Sequence, residues 1–424
     1  MRVLIVNTSE RKGGAAVAAN RLMEALNNNG VKAKMLVMEK VSDSLTVAAY
    51  GNAWSNMARF LWERLTIFSH LHFSKRHLFE IDIANAGLDI TRFREFREAD
   101  VIHLSWVNQG FLSLSGIRKI IASGKPVVWT MHDAWPATAI CHYTQGCKAF
   151  MSECRHCHLL PGEGSAKDLS NKVWQRKAKV LADANISYVA CSRWLEQQAR
   201  QSALIGSQQI TSIPNPIDSR VFCPGDQRVA RQQLGLPLDK RIILFVSQRV
   251  TDERKGMRYL VEAVDKLTTA HPEMKGNTSV AFIGGHAEDI EGQFSLPIYS
   301  LGYISDERKI VEAYRAADVF VLPSLEDNLP NTIMEAMACG VPCVGFRTGG
   351  IPEEIDHLKN GYVAEYKNAE DLMKGIHWVL FEADHAMLAT QSVKKVATSY
   401  SQTSVALRYI EVYNEAMAYK NYKL

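Results

Sequence analysis

The chain has 424 residues, of which 47% are hydrophobic and 22% are charged, a composition typical of a globular protein large enough for two domains. Its formal net charge of +4 is too small to indicate a nucleic-acid partner. No apolar run is long enough for a transmembrane helix, and the run that follows Met1 is too short for a signal peptide. We therefore expect a cytoplasmic protein whose cysteines stay reduced.

The N-terminal segment predicts the opening of a nucleotide-binding fold. Val3–Val6 has the pattern of a buried strand, and Gly13 and Gly14 precede an alanine-rich helix that ends near Gly30. A strand, a glycine-rich turn and a helix in this order are typical of a Rossmann-type unit. The complete dinucleotide fingerprint is missing, so a turn that needs glycine only for a positive φ is the alternative interpretation.

Residues 52–79 form an aromatic and basic segment. Glu63 is the only acid within this segment. Two interpretations stay open: a helix that lies in a membrane interface, or a helix packed in the core, which is the commoner origin of such a stripe. Its apolar residues include Trp54, Phe60, Leu61, Trp62, Leu65, Ile67, Phe68, Leu71 and Phe73, and its basic residues are Arg59, Arg64, Lys75 and Arg76.

Two later strands end in polar residues. One begins at Asp100, and the other runs from Pro126 to His132 and Asp133. In a parallel sheet the carboxyl ends of the strands line the binding crevice. His132 is there able to donate a hydrogen bond to a ligand hydroxyl, although a structural histidine is the alternative.

A cysteine-rich insert, residues 141–157, follows directly. It holds half of the eight cysteines, with histidines between them. The pair at 154 and 157 has the spacing of a zinc knuckle, and two upstream thiolates can complete a tetrahedral site. Buried thiols without a ligand are the alternative. Any zinc would be structural, because four protein ligands leave no open position for catalysis. The candidate ligands are Cys141, Cys147, Cys154 and Cys157.

A proline-rich stretch beginning at Pro214 predicts a hinge between two domains. After it, the strand Ile242–Val246 leads to Arg249 and Lys255, two cations six residues apart at a predicted strand-to-helix loop. Such a pair can neutralise a diphosphate, and solvated surface charge is the alternative. Further strands are predicted at Val280–Gly285 and Ile298–Leu301.

The most informative stretch runs from Val319 to Glu353. It predicts a strand (Val319–Leu322) that stops at Pro323, a polar turn, a helix (Asn331–Ala338) that ends before Gly340, and a second strand (Val341–Phe346). Because helical Cα–Cβ bonds tilt toward the N-terminus, Glu335 in the helix would lean toward Asp327 on the turn. Two carboxylates beside a helix N-terminus suit a ligand that combines hydroxyl groups with a phosphate.

This stretch resembles the donor-binding signature of glycosyltransferase family 4, in which a Glu, seven residues and a second Glu precede a small, Cys- or Ala-rich helix end. Glu335 matches the second acid, whereas Asp327 stands at the first, one methylene shorter and beside Glu326. The resemblance extends over nearly the whole chain and is weakest between residues 40 and 95. It implies an α/β protein of the GT-B fold, with two Rossmann-like domains facing across a cleft and a C-terminal helix that returns to the first domain.

The resemblance also implies the site. Arg249 and Lys255 would hold the diphosphate and stabilise the leaving group, and Glu335 would hold the ribose. Asp327 and His132 would contact the donor sugar. The other donor-binding positions that it implies are the loop glycines Gly13 and Gly14, the base-binding residues Tyr303 and Ile304, and the turn residues Asn328 and Leu329.

The resulting hypothesis is a retaining glycosyltransferase of the bacterial polysaccharide-biosynthesis type, without a divalent metal in the active site. It would move a sugar from a nucleotide-diphosphate-sugar to a hydroxyl of a glycan or lipid-linked acceptor, with peripheral contact at the inner face of the membrane. Two alternatives stay open: a GT-B-type nucleotide-sugar epimerase, and a non-catalytic nucleotide- or zinc-binding scaffold. The predicted domains are residues 1–213 and 214–400, followed by the helix 401–424.

Overall fold

The structure is a computed structural model that describes residues 1–182 and 184–421. The chain forms two compact units. Unit 1 comprises Met1–Pro216 together with the described residues from Val405 onward, and unit 2 comprises Ile217–Ser404. Of the predicted C-terminal segment 401–424, residues 422–424 lie outside the described residues.

Unit 1 is built on a parallel sheet of seven strands in the order β3-β2-β1-β4-β5-β6-β7. Strands with helices on both faces are buried on both sides, which is why they appear in the sequence as continuous apolar runs. The elements of its main segment are β1 (Arg2–Ser9), α1 (Gly14–Asn28), β2 (Lys32–Glu39), β3 (Val47–Ala49), α2 (Ala53–His70), α3 (Arg94–Glu98), β4 (Val101–Leu104), α4 (Leu114–Ala122), β5 (Val127–Met131), α5 (Leu169–Leu181), β6 (Ile186–Ala190), α6 (Arg193–Arg200) and β7 (Ile210–Ser212).

The strand order of unit 1 reverses between β1 and β4. Val3 on β1 pairs with Ala33 of β2 on one side and with Val101 of β4 on the other. The chain therefore leaves β1 and β4 toward opposite faces of the sheet, and their carboxyl ends diverge. In open parallel sheets this divergence forms the crevice in which ligands bind.

Unit 2 repeats this plan with six parallel strands in the order β10-β9-β8-β11-β12-β13. Its strand order reverses between β8 and β11. The helices α13 and α14 are joined through the π-helical segment Trp378–Glu382. The elements are α7 (Gln227–Leu234), β8 (Arg241–Arg249), α8 (Met257–Ala270), α9 (Met274–Asn277), β9 (Thr278–Gly285), β10 (Ile298–Ser300), α10 (Glu307–Ala316), β11 (Val319–Leu322), α11 (Asn331–Ala338), β12 (Cys343–Phe346), α12 (Ile351–Glu354), β13 (Gly361–Ala364), α13 (Ala369–His377) and α14 (His385–Ser399).

The last helix, α15 (Gln402–Asn421), packs on the sheet of unit 1. The hydroxyl of Tyr409 lies 2.9 Å from Thr130 Oγ1, and that of Tyr413 lies 2.5 Å from His103 Nδ1. Both tyrosine side chains are buried. A buried hydroxyl needs a hydrogen-bond partner, and these two find theirs on β4 and β5. The C-terminal helix thus returns to the first domain, as predicted.

Helix α2 corrects one expectation. Packing in the core was the commoner explanation of its apolar stripe, yet only Ile67, and Leu71 just beyond the helix, join the core. Glu63 and Arg64 are the buried side chains instead. They are bonded to the segment that follows the helix, so hydrogen bonds hold α2 in place and much of its apolar surface faces solvent.

Candidate active site

The acidic turn of unit 2 lies between β11 and α11, at the carboxyl edge of the sheet. Its residues Asp327, Asn328 and Leu329 are buried. Gly349 lies directly against it, with φ +56° and with the position of a Cβ only 1.7 Å from the Asp327 carbonyl oxygen. Gly350 donates its N–H to the same oxygen at 3.2 Å. Glycine is therefore required after β12, because any side chain there would displace the turn.

Asp327 is paired with the cations of a neighbouring turn. Its Oδ2 lies 2.5 Å from Lys255 Nζ and 3.5 Å from Arg254 Nη1, and it accepts a hydrogen bond from Ser324 Oγ at 3.1 Å. Burial acts to raise the pKa of Asp327, but the charges of Lys255 and Arg254 outweigh it and lower the pKa. The carboxylate is thus ionised and available as a hydrogen-bond acceptor.

Lys255 reaches Asp327 from the 3-10 turn Glu253–Lys255, which follows β8. Gly256 ends that turn in the left-handed region, and a Cβ on it would lie 1.9 Å from the carbonyl oxygen of Pro323. The two loops are therefore in direct backbone contact. Burial lowers the pKa of Lys255, an effect that Asp327 partly offsets. Arg249, the other predicted cation, ends β8 with its side chain exposed.

Arg254 is a site residue that the sequence reasoning missed. Its Nη1 donates to the carbonyl oxygen of Glu326 at 3.0 Å, and its own carbonyl oxygen accepts from the N–H of Leu325 at 2.7 Å. Arg254 thus ties the cationic turn to the acidic turn and adds positive charge beside Asp327. The only sequence signal for Arg254 was its position immediately before Lys255. This signal is weak, because basic residues in loops are usually solvated.

Glu335 lies inside α11 and is buried. Its Oε2 accepts a hydrogen bond at 2.8 Å from the hydroxyl of Tyr314, a fully buried side chain of α10. Tyr314 was not singled out from the sequence, because a tyrosine on an amphipathic helix is usually a core residue. This contact fixes one Glu335 oxygen. Further along the same edge, Tyr303 follows β10 with an exposed ring, and Ile304 is half-buried.

The carboxyl group of Glu354, close to this site, has a raised pKa. Glu354 of α12 is fully buried, and neither side-chain oxygen has a hydrogen-bond partner among the described residues. Burial raises its pKa well above the ordinary value of 4.5, and the negative charge of Asp327 raises it further against the opposing charge of Lys395. The folded protein therefore holds the Glu354 proton more strongly than the unfolded chain does.

We expect this difference to make stability depend on pH. The folded state holds the Glu354 proton to a higher pH than the unfolded state does. Its contribution is complete below pH 4.5 and is lost as the pH rises toward the folded pKa, by up to about 1.4 kcal/mol per pH unit. The free energy of unfolding of Glu354→Gln should therefore increase relative to that of the wild type as the pH rises. Urea unfolding of both proteins from pH 5 to about pH 8 measures the difference, and a constant difference would contradict the expectation.

In unit 1, His132 follows β5. Its Nε2 lies 2.9 Å from Ser105 Oγ, at the end of β4, and its Nδ1 lies 3.5 Å from Cys191 Sγ. The Cys191 thiol donates in turn to Asn215 Oδ1 at 3.1 Å. Burial lowers the pKa of His132 to about 4, and the nearby Asp133 only partly offsets this. The imidazole is therefore neutral and oriented on both sides.

The glycine pair that the sequence singled out lies at the start of α1. Gly13 has φ +91° and Gly14 is the first helical residue. No heavy atom lies within 4 Å of a Cβ built on Gly13, so backbone conformation rather than crowding is what requires glycine there. The need for a positive φ is therefore enough to explain Gly13. The space beside the turn is open to a ligand.

Asp133 belongs to a buried network next to His132. Its carboxylate accepts from the indole N–H of Trp106 at 2.9 Å and contacts His142 Nδ1 at 2.7 Å, while His142 Nε2 lies 2.6 Å from Asp82. Burial acts to lower the pKa of His142, but the two carboxylates outweigh it and raise the pKa to about 10. His142 is therefore a cation held between two anions, and it stabilises the loop that carries His132.

The four cysteines of the insert line one cavity, and none forms a disulfide. The N–H of Leu160 donates to the carbonyl oxygen of Cys157 at 2.9 Å, and burial lowers the pKa of Lys177, close to Cys141 and Cys154, to about 7. Among the described residues, however, no three His, Cys, Asp or Glu side chains are already arranged to hold a metal ion. Zinc binding would require the thiols to turn into the cavity, and it stays a prediction.

Elemental analysis tests this prediction. We expect reduced protein purified without chelators to carry close to one zinc per chain, and Cys154→Ser to lower thermal stability more than turnover, because a closed site contributes to folding. Cys339→Ser is the matched control, since that thiol is also buried and free but lies outside the insert. Protein without zinc would favour the interpretation of the four cysteines as thiols without a ligand.

Two parallel sheets of Rossmann type, each with one reversal of strand order, are the architecture of the GT-B fold. Solved structures agree. Sucrose-phosphate synthase of Thermosynechococcus elongatus superposes with a TM-score of 0.68 at 17% identity, covering 99% of each chain. HepE of Anabaena, crystallised with UDP and glucose, gives 0.64 at 15% identity, covering 98% of this chain and 100% of HepE. These likenesses show the GT-B fold.

The family follows from sequence models. The model described as Glycosyltransferase Family 4 matches residues 12–221, and the model described as Glycosyl transferases group 1 matches residues 240–381. The chain therefore belongs to the family 4 glycosyltransferases, which confirms the resemblance. A D-inositol 3-phosphate glycosyltransferase of Thermobispora bispora is 23% identical over 221 residues, which are 50% of this chain and 51% of the relative. The similarity thus spans about half the length of that relative.

None of the helices in the described part of the chain is long and apolar enough to cross a membrane.

Proposed function

We propose that the protein transfers a sugar from a nucleotide-diphosphate-sugar to a hydroxyl group of a glycan or lipid-linked acceptor, with retention of anomeric configuration. One observation carries the proposal: Arg254 and Lys255 converge on the Asp327 carboxylate at the strand-order reversal of unit 2. A ligand that joins phosphates to a sugar matches this arrangement, because cations attract the phosphates and a carboxylate accepts from sugar hydroxyls. Membership of family 4 supports the same donor class.

The leaving diphosphate needs positive charge when the bond to the sugar breaks. Lys255 and Arg254 supply it from one turn, and Arg249 adds a third cation at the end of β8. Because three cations are available, we propose that no divalent metal takes part. Charge placed in advance where negative charge develops is usually the largest contribution to such catalysis. Retention would follow from attack on the face that the diphosphate leaves, with the departing phosphate accepting the proton of the acceptor hydroxyl.

The remaining residues bind the donor. Glu335, fixed by Tyr314 through one oxygen, is assigned to the ribose hydroxyls. Tyr303 and Ile304 are assigned to the base, and the N–H groups of Asn328 and Leu329 to the donor sugar. For unit 1 we keep the roles that family membership implies: His132 acts as a neutral hydrogen-bonding group toward the sugar, and Gly13 and Gly14 form an open loop toward the phosphates.

A turnover assay with a panel of nucleotide sugars, with and without glycan and lipid-linked acceptors, tests the proposal. We expect one donor to yield nucleoside diphosphate and a glycoside whose anomeric proton coupling shows retention. Epimerised nucleotide sugar formed without acceptor would instead indicate the epimerase. Protein that binds nucleotide but converts no donor would indicate a scaffold. An inverted product would contradict the same-face mechanism while leaving the transferase intact.

The proposal places the protein in the cytoplasm, with unit 1 in peripheral contact with the membrane that holds a lipid-linked acceptor. The exposed apolar residues of α2 support that contact.

A further inference from the structure

Helix α2 has the reverse of the usual amphipathic arrangement. Its polar side faces the protein, where Glu63 Oε1 accepts from the N–H groups of Ile83 at 3.0 Å and Ala84 at 2.6 Å. Arg64 Nη1 donates to the carbonyl oxygens of Leu78 at 2.7 Å and Ile81 at 3.2 Å, and Nη2 pairs with Asp82. The helix is therefore fixed to unit 1 by the buried, hydrogen-bonded side chains of Glu63 and Arg64 together with Ile67 in the core, and its other large apolar residues are not needed to hold it.

Five of the larger apolar residues of α2 are exposed, whereas Phe60 and Phe68 are half-buried and Ile67 is buried. Trp54 is 87% exposed, Trp62 62% and Leu65 60%. With about 100° of rotation per residue, the exposed apolar positions fall within an arc of roughly 140° that holds no charged residue. We call this surface the α2 apolar face, and its members are Trp54, Met57, Leu61, Trp62 and Leu65. Exposed aromatic and aliphatic side chains contiguous on one helix mark an interaction surface.

The loop that follows α2 carries two exposed cations ahead of the exposed Glu80. Lys75 and Arg76, on the loop that follows the helix, are exposed, whereas the single acid of residues 53–79, Glu63, is buried. Phe73 lies on the same loop, 74% exposed and with φ +63°, a conformation that non-glycine residues adopt at a cost. The loop thus presents an aromatic ring next to two cations.

We propose that the α2 apolar face docks unit 1 on an anionic lipid bilayer. Tryptophan and leucine side chains insert at the level of the headgroups and upper acyl chains, while the cationic loop contacts the anionic headgroups. A helix of 18 residues is about 27 Å long, so α2 would lie in the plane of the interface rather than across it. The proposal deepens the proposed function, since it names the surface at which a lipid-linked acceptor would be met.

The charge pattern favours lipid over a protein partner. A protein interface on this face would need acidic groups opposite Lys75 and Arg76 and a pocket for each protruding tryptophan. A bilayer supplies a continuous negative surface and a deformable apolar layer, so no individual pockets are needed. If the protein instead dimerises through the α2 apolar face, that face binds a second copy of this chain.

Vesicle flotation with the full-length protein tests the proposal. The probes are vesicles of phosphatidylcholine alone and of phosphatidylcholine mixed with phosphatidylglycerol. We expect the wild type to bind the anionic vesicles, and the double variant Trp54→Glu, Leu61→Glu to lose about tenfold or more of that affinity. The matched control is Met387→Glu, Leu407→Glu, which changes two comparably exposed apolar residues outside α2 and should bind as wild type does.

Two further measurements separate the outcomes. Lys75→Ala, Arg76→Ala should reduce binding to anionic vesicles and weaken its dependence on salt, because two headgroup contacts are lost. Circular dichroism and nucleotide titration of each variant establish that it is folded and that unit 2 is intact, so a failure of docking is distinguished from a failure of the transferase proposal. Equal vesicle binding by the α2 variant and the wild type, no binding by either, or a dimer that only the α2 variant disrupts would overturn the proposal.

Discussion

Lys255→Ala should lower kcat about a hundredfold or more. The Lys255 ammonium is the cation nearest Asp327, at 2.5 Å, and we assign it to the charge that develops on the leaving diphosphate. Losing one charge-stabilising donor in a closed site costs about 3 kcal/mol of transition-state stabilisation. Steady-state kinetics with the donor that the panel identifies gives the value, and kcat should fall more than KM changes.

The control for this change is Lys275→Ala, which removes an exposed lysine of unit 2 and should leave turnover unchanged. Arg254→Ala should also be impaired, because Arg254 both adds charge and holds the carbonyl oxygen of Glu326. A folded Lys255→Ala protein with near-normal kcat would show that Lys255 is not catalytic. The assignment of the diphosphate to this turn would then lose its main support.

Asp327→Asn should keep nucleotide affinity close to that of wild type and reduce transfer about a hundredfold. The carboxylate is assigned to sugar hydroxyls, and an interaction made chiefly in the transition state lowers kcat without weakening binding of the nucleotide. Glu335→Gln should do the opposite and weaken nucleotide binding, because its carboxylate is assigned to the ribose. Calorimetric nucleotide affinity and kcat, measured for both variants, give the comparison.

Glu326→Gln is the register control for Asp327. The structure gives the two neighbours different environments: the Asp327 carboxylate contacts Lys255, whereas the backbone oxygen of Glu326 accepts from Arg254. Thermal melting must accompany the kinetics, since Asp327→Asn also leaves a buried lysine without its carboxylate. If Asp327→Asn transfers sugar normally and Glu326→Gln does not, the acid that contacts the sugar is Glu326 rather than Asp327.

Much of the fold was predictable because parallel strands are buried on both faces. The strand Val319–Leu322 and the helix Asn331–Ala338 have the predicted bounds, since Pro323 stops the strand and Gly340 follows the helix. The fold was predictable for a second reason. Backbone contacts require the glycines of the donor-binding signature, as Gly349 shows by lying directly against the backbone of Asp327. Sequence patterns record such local requirements directly.

What the sequence did not reveal are contacts between distant segments. Lys255 and Asp327 were assigned to one site but to different parts of the donor, and their ion pair depends on the packing of β8 against β11. His142 was noted among the cysteines, yet it contacts Asp82 and Asp133. Helix α2 shows the same limit, because periodicity identifies an apolar face and cannot say whether that face is covered.

Calorimetric titration with matched nucleoside diphosphate and monophosphate measures whether the Lys255 turn of unit 2 binds a nucleoside diphosphate. We expect the wild type to bind the diphosphate about tenfold or more tightly, because the second phosphate meets Lys255 and Arg254. We expect this preference largely to disappear in Lys255→Ala. Equal affinity of the wild type for the two nucleotides, or a preference that survives intact in Lys255→Ala, would contradict this expectation.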